Sequence, residues 1–211
     1  MMRQLFSWLS AALLSLAISL PVHATEHPAE RLVVDTTNKV LERLRKDKPA
    51  LQKDKSKIYP LVEELILPHF DFHKMSIWVL GKNWRKADAA QQKTFTDEFQ
   101  NLLVRTYSTA LLEYTDQKID FLPFHASETD KKVTVKTRIV QNGGAADIPL
   151  NYSLYRNRAG EWKVYDISVD GISLVTNYRT SFASEVQKGG IPKLLAKLAE
   201  MNQAKGTDSG K

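Results

Sequence analysis

Residues 88–115, DAAQQKTFTDEFQNLLVRTYSTALLEYT, carry more apolar surface than a helix half in water can hide. Asp88 and Gln91 have the spacing of a capping box, which starts a helix by satisfying its first backbone N–H groups. Phe95, Phe99, Leu102, Thr106, Ala110 and Tyr114 then recur at three- and four-residue steps, and Leu103, Tyr107 and Leu111 widen that stripe. So broad a face must be largely covered by other structure. A sheet is one candidate cover.

Between about 117 and 171 the apolar period changes to two. Ile119 and Phe121, then Val133, Val135, Thr137 and Ile139, then Ile148, Leu150, Tyr152 and Leu154 alternate with other residues, and Trp162 and Val164 follow. NGG at 142–144 and NRAG at 157–160 are turn signals that join the last three of these strands antiparallel. In EWKVYDISVDG, Trp162 and Val164 sit in one phase while Ile167 and Val169 sit in the other. A bulge near Tyr165 and Asp166 would place all four on one side and bend the strand.

Helices flank this region. In RLVVDTTNKVLERLRKD, Val33, Thr37, Val40 and Leu44 share one helical face, and Pro49 with a lysine-rich connector marks the end. Pro60 opens a short helix that Pro68 ends, and a turn around Lys74 to Leu80 stops at Gly81. After Gly171, Leu174, Tyr178, Phe182 and Val186 recur at steps of four until Gly189-Gly190. A last helix starts near Pro192 with Leu194, Leu195, Leu198 and Met201. The predicted class is α+β, a curved antiparallel sheet packed on helices with a cone-shaped apolar cavity between sheet and long helix.

Residues 1–24 read as a secretory signal: Arg3, an apolar run from Leu5 to Leu20, Pro21, and a small-residue pattern that places cleavage after Ala24. The expected organisation is a signal peptide over 1–24, one domain over 25–203, and a disordered polar tail over 204–211. Removing the first 24 residues takes away only Arg3 among the charges and leaves a balance of +5. That balance fits solvated lysines as well as attraction to anionic headgroups or an acidic partner. Export argues against nucleic acid, and no stretch alternates arginines with stacking aromatics. The chain has no cysteine, so disulfides and thiolate chemistry are excluded and the core alone must hold the fold.

LPHFDFHKM, residues 67–75, looks like a metal-ligand cluster. His69 and His73 are four apart, as on a helix, but Pro68 precedes them, Asp71 would point away from both, and a catalytic zinc needs three protein ligands. The other histidines of the mature chain are His27, near a start expected to fray, and His125. The simpler reading is a turn in which Phe70 and Phe72 bury their rings, Asp71 caps the next helix and the histidines stay in water. No Gly-x-Ser-x-Gly elbow, phosphate loop or dinucleotide fingerprint occurs, so no cofactor is implied. Asp166 and Asp170 can be imagined as an acid–base pair, although Asp170-Gly171 is more simply a turn. No catalytic or metal-binding residue is assigned.

Five segments carry a family resemblance: FDF, LG at 80 and 81, WRKADAAQQKTFTDEF, LLVRTYSTALLEY and EWKVYDISVDGISLVTNYRTSF. Over about residues 30 to 200 the chain resembles the MlaC (toluene-tolerance) family, in whose pattern Asp71-Phe72 recurs and the two histidines do not. The resemblance implies a periplasmic phospholipid carrier of the Mla pathway, with a fold similar to nuclear transport factor 2, that maintains outer-membrane lipid asymmetry. It also implies two partners: an outer-membrane lipoprotein bound to a porin, and an inner-membrane ABC transporter with a ring of lipid-handling domains. A shuttle that must fit between them is expected to be a monomer.

Two acyl chains carry on the order of thirty methylenes at about 0.8 kcal/mol each, so free lipid lies roughly 24 kcal/mol above its membrane state. A carrier therefore needs an apolar space about as good as the bilayer and no dedicated polar site. Facing rules select Phe99, Leu102, Leu103, Tyr107 and Leu111 from the long helix. From the sheet they select Val133, Val135, Ile139, Leu150, Tyr152, Leu154, Val164, Ile167 and Val169, with Ile172 at the corner that follows and Trp78 in the wall. Tyr107 and Ile172 are the expected mouth, Gly171 lets the corner turn, and Ser173 caps the next helix. An enzyme using the same space, or an interaction module filled by its own side chains, remains an alternative from the residues alone.

Overall fold

The period-two region forms a five-stranded antiparallel meander in the order β1-β2-β3-β4-β5. The computed structural model describes residues 26–113, 117–141 and 143–207. The expected signal peptide, Tyr114 and Asn142 lie outside the described residues. The strands are β1 (Ile119–Phe121), β2 (Lys132–Ile139), β3 (Ile148–Arg156), β4 (Trp162–Val169) and β5 (Ile172–Ser173).

Ser153 pairs with Asp166 while Leu154 pairs with Val164, so Tyr165 is the extra residue of a bulge where the phase change required one. Val164, Ile167 and Val169 consequently share one face. The Gly171 corner is a two-residue hairpin rather than a direct entry into helix. Asp170 (φ 50°) and Gly171 (φ 79°) both take the left-handed conformation such a turn demands, and Val169 pairs with Ile172 across it.

Among the described residues the chain forms five α-helices. Helix α1 (Pro28–Lys53) passes through Pro49, where the sequence predicted its end. Packing overrides the proline: Leu51 is buried beside Ile58, Leu61 and Val62, so the last turn is held from outside. Helix α2 (Ile58–Leu65) runs into a 3-10 turn over Leu67–His69, and α3 (Phe72–Leu80) ends at Gly81 with φ 55°. Helix α4 (Ala89–Leu112) starts at the Asp88–Gln91 capping box, with bonds of 2.8 and 3.2 Å. Helix α5 (Leu174–Thr207) consists of two segments broken at Gly189-Gly190, where Gly190 has φ 74°. It extends to Thr207, four residues into the segment predicted as tail, and 208–211 lie outside the described residues.

The broad stripe of α4 is covered by helices, not by the sheet. Phe95, Phe99 and Leu102 are fully buried against Met75 and Val79 of α3 and Phe182, Leu194 and Leu198 of α5. Phe95 stacks on Phe99 at 5.7 Å, and Phe182 meets both rings edge-on. Toward its end the stripe drifts: Ala110 is exposed, while Leu111 turns to the cluster of α1 and α2. The inner sheet face is covered instead by the first turns of α1, through Ala29 and Val33.

His27 does not fray. Its Nδ1 accepts the Ala29 N–H at 3.2 Å as the N-cap of α1, and its ring lies 5.1 Å from both Phe124 and Trp162. The readable signal was Pro28, favoured at the first helical position behind a capping residue. His27→Ala is expected to lower unfolding stability by about 1–2 kcal/mol through the lost cap and ring contacts, measured by urea denaturation.

Candidate functional site

Directly opposed residues of antiparallel strands point to the same side, so the register sorts the inner sheet face into rows. Val133, Leu154 and Val164 form the first row. Val135, Tyr152 and Ile167 form the second; Thr137, Leu150, Val169 and Ile172 the third; Ile139 and Ile148 close the face. Every strand residue selected from the sequence lies in these rows.

Along β3 and β4 burial falls from one end of this face to the other, whereas Val135 and Thr137 of β2 stay fully buried. Leu154 and Val164 are sealed under Ala29 and Val33. Tyr152, Ile167, Leu150, Val169 and Ile139 point the same way yet are only half-buried, and Ile172 is 62% exposed. The gradient follows α1. Its Thr37 meets the Tyr152 hydroxyl, whose pKa burial pushes up to about 12, while Val40 and Leu44 belong to the packing with α2. Past Tyr152, apolar side chains line incompletely covered space.

The helical selections scatter. Phe99, Leu102 and Leu103 are interior to the helical layer, and Leu111 packs beside α1 and α2. Tyr107 is 37% exposed, with its hydroxyl against that of Tyr178, whose pKa is raised first by burial and then by Tyr107. Trp78 stands apart from the rows: its ring is 5.0 Å from Tyr165, with the Lys132 ammonium 5.4 Å over it. Lys132 alternates with Val133 and so belongs to the outer face. An open depression of about 270 Å³ shares Lys132 and Tyr165 and is lined further by His125, Ala126, Asp130, Val133 and Thr134. Its mixed polar lining differs from the apolar rows.

The residues around LPHFDFHKM join helices to sheet. Phe70 bridges Val164, the Asp71 N–H donates to the Val164 carbonyl at 2.9 Å, and the Asp71 carboxylate caps α3 through the Lys74 N–H at 2.8 Å. Its second oxygen accepts the Tyr155 hydroxyl, and the Lys74 ammonium sits 3.7 Å from the Tyr155 ring. The Tyr155 pKa is pushed up to about 12, by burial first and then by Asp71. His73 is exposed with its ring against Trp84. His69, expected in water, is half-buried, and its pKa is lowered by that burial and by Lys163 and Lys39. Among the described residues no three His, Cys, Asp or Glu side chains converge on a metal-sized site.

Asp166 is also committed to structure. Its carboxylate accepts the Val175 N–H at 3.0 Å and the Ser173 hydroxyl at 2.6 Å, while Ser173 Oγ caps α5 through the Thr176 N–H at 3.0 Å. Among the described residues no helix is long and apolar enough to cross a membrane.

Fold and site together define an α+β domain organised around one partly uncovered apolar sheet face. The profile of the MlaC protein family matches residues 34–200, and the chain belongs to the MlaC family. It is 31% identical over 160 residues to the toluene tolerance protein ttg2D of Pseudomonas putida, covering 75% of this chain and 73% of that one. It is 25% identical over 170 residues to the intermembrane phospholipid transport system binding protein MlaC of Haemophilus influenzae, covering 80% and 79%. A phospholipid-binding protein of Ralstonia solanacearum, solved in complex with a phospholipid, superposes with a TM-score of 0.77 at 31% identity, over 84% of this chain and 98% of that one.

Proposed function

We propose that this chain is a periplasmic phospholipid carrier that takes acyl chains onto the half-covered inner sheet face and leaves the headgroup in water. The observation that carries the reading is the gradient from sealed Leu154 and Val164 to half-buried Leu150, Ile167 and Val169 and exposed Ile172. Apolar side chains that face inward without a full cover are stabilised by an apolar ligand at about 25 cal/mol per Å² removed from water. Membership of the MlaC family and the lipid-bound relative from Ralstonia solanacearum support the same assignment.

The finer reading follows the family resemblance. Residues 1–24 direct export and are cut after Ala24, and the mature monomer carries lipid between an outer-membrane lipoprotein–porin complex and an inner-membrane ABC transporter, maintaining outer-membrane lipid asymmetry. Tyr107 and Ile172 flank the entrance. Catalysis has no place in the cycle, since binding and release leave every covalent bond of the lipid intact. Native mass spectrometry of the exported protein, followed by lipid extraction, tests this. One intact phospholipid per chain is expected; an empty protein, or one holding hydrolysed lipid, would refute it.

A further inference from the structure

Tyr152 occupies a boundary that its neighbours define. Towards one end of the inner face lie Leu154 and Val164, sealed beneath α1; towards the other lie half-buried Leu150 and Val169. Tyr152 is itself half-buried on this face, packed on the cluster of Ala29, Val33, Val135 and Leu154, with its hydroxyl turned to Thr37 of α1. A ring hemmed in by this cluster and by its cross-strand neighbours Val135 and Ile167 cannot swing aside as a free rotamer would. A chain sliding inward from Ile172 past Val169 and Leu150 therefore meets a fixed aromatic wall backed by dry core.

Resting on the carrier reading above, we infer that Tyr152 is the specificity-determining residue that sets how deep an acyl chain can penetrate, and hence which chain lengths the protein prefers. The next row lies two residues along the strand, about 6–7 Å further in. Removing the ring opens that distance to the ligand, because the apolar void left behind stays dry and accepts apolar atoms.

The full chain, expressed with its own N-terminal segment, is loaded from vesicles containing equal amounts of phosphatidylcholines with saturated chains of graded length, and the bound species are read by mass spectrometry. Tyr152→Ala is expected to shift the bound population towards longer chains than wild type selects, and Tyr152→Leu serves should the alanine variant fail to fold. Met75→Ala, a deletion within the helical layer away from the face, is expected to lower the melting temperature without moving the chain-length profile. An unchanged profile in a lipid-loaded Tyr152 variant overturns the inference, as does an equal shift in Met75→Ala. Wild-type protein that takes up no phosphatidylcholine removes the carrier reading itself, a distinct result.

Discussion

Val169→Asp is expected to cut phospholipid occupancy by about 100-fold while leaving the empty protein folded. Val169 lies between Leu150 and Ile172 in the third row and is half-buried without ligand, so its carboxylate stays hydrated in the empty state. An acyl chain laid over it would strip that water. A penalty of about 3 kcal/mol is modest for desolvating a charge, and at 1.4 kcal/mol per tenfold it gives the stated loss. Lipid content by extraction, alongside a thermal melt of the delipidated protein, separates binding from folding. Wild-type lipid content in a folded Val169→Asp protein would place the acyl chains elsewhere.

Asp71→Ala is expected to lower unfolding stability by about 2–4 kcal/mol, the larger part of which Asp71→Asn should restore. Loss of the α3 cap costs about 1 kcal/mol, and depriving the Tyr155 hydroxyl of its acceptor adds about 1–3 kcal/mol. Lys74 over the Tyr155 ring loses its geometry in the same step. Urea denaturation measures this as a fall in midpoint. A loss below about 0.5 kcal/mol, the usual range of surface substitutions, would show that Asp71 is no tie between helices and sheet.

Strands and bulge were legible in the sequence because their signals are local. Alternation fixed the inward set from Val133 to Val169, and the phase slip across Tyr165 and Asp166 required an extra residue somewhere in that pair. Capping was legible for the same reason at Asp71, Asp88 and Ser173. The cover of α4 was not. A wide apolar stripe states that something must pack on it and says nothing about what, so Phe99, Leu102 and Leu103 were assigned to the lipid although α3 and α5 already enclose them. Trp78 misled for a related reason: an apolar side chain on a short helix carries no record of which sheet face it will meet. At Pro49 and His27, tertiary contacts outweighed propensity, through Leu51 in one case and Phe124 and Trp162 in the other. The two-residue β5 is too short for any period to reveal.

The half-covered inner sheet face as the seat of the acyl chains is tested most directly by photocrosslinking with a phospholipid carrying a diazirine in one chain, mapped by peptide mass spectrometry. Adducts are expected within 148–152 and 167–172, along Leu150, Tyr152, Ile167, Val169 and Ile172. Adducts confined to Trp78, Lys132 and Tyr165, on the outer side of the same sheet, would contradict it.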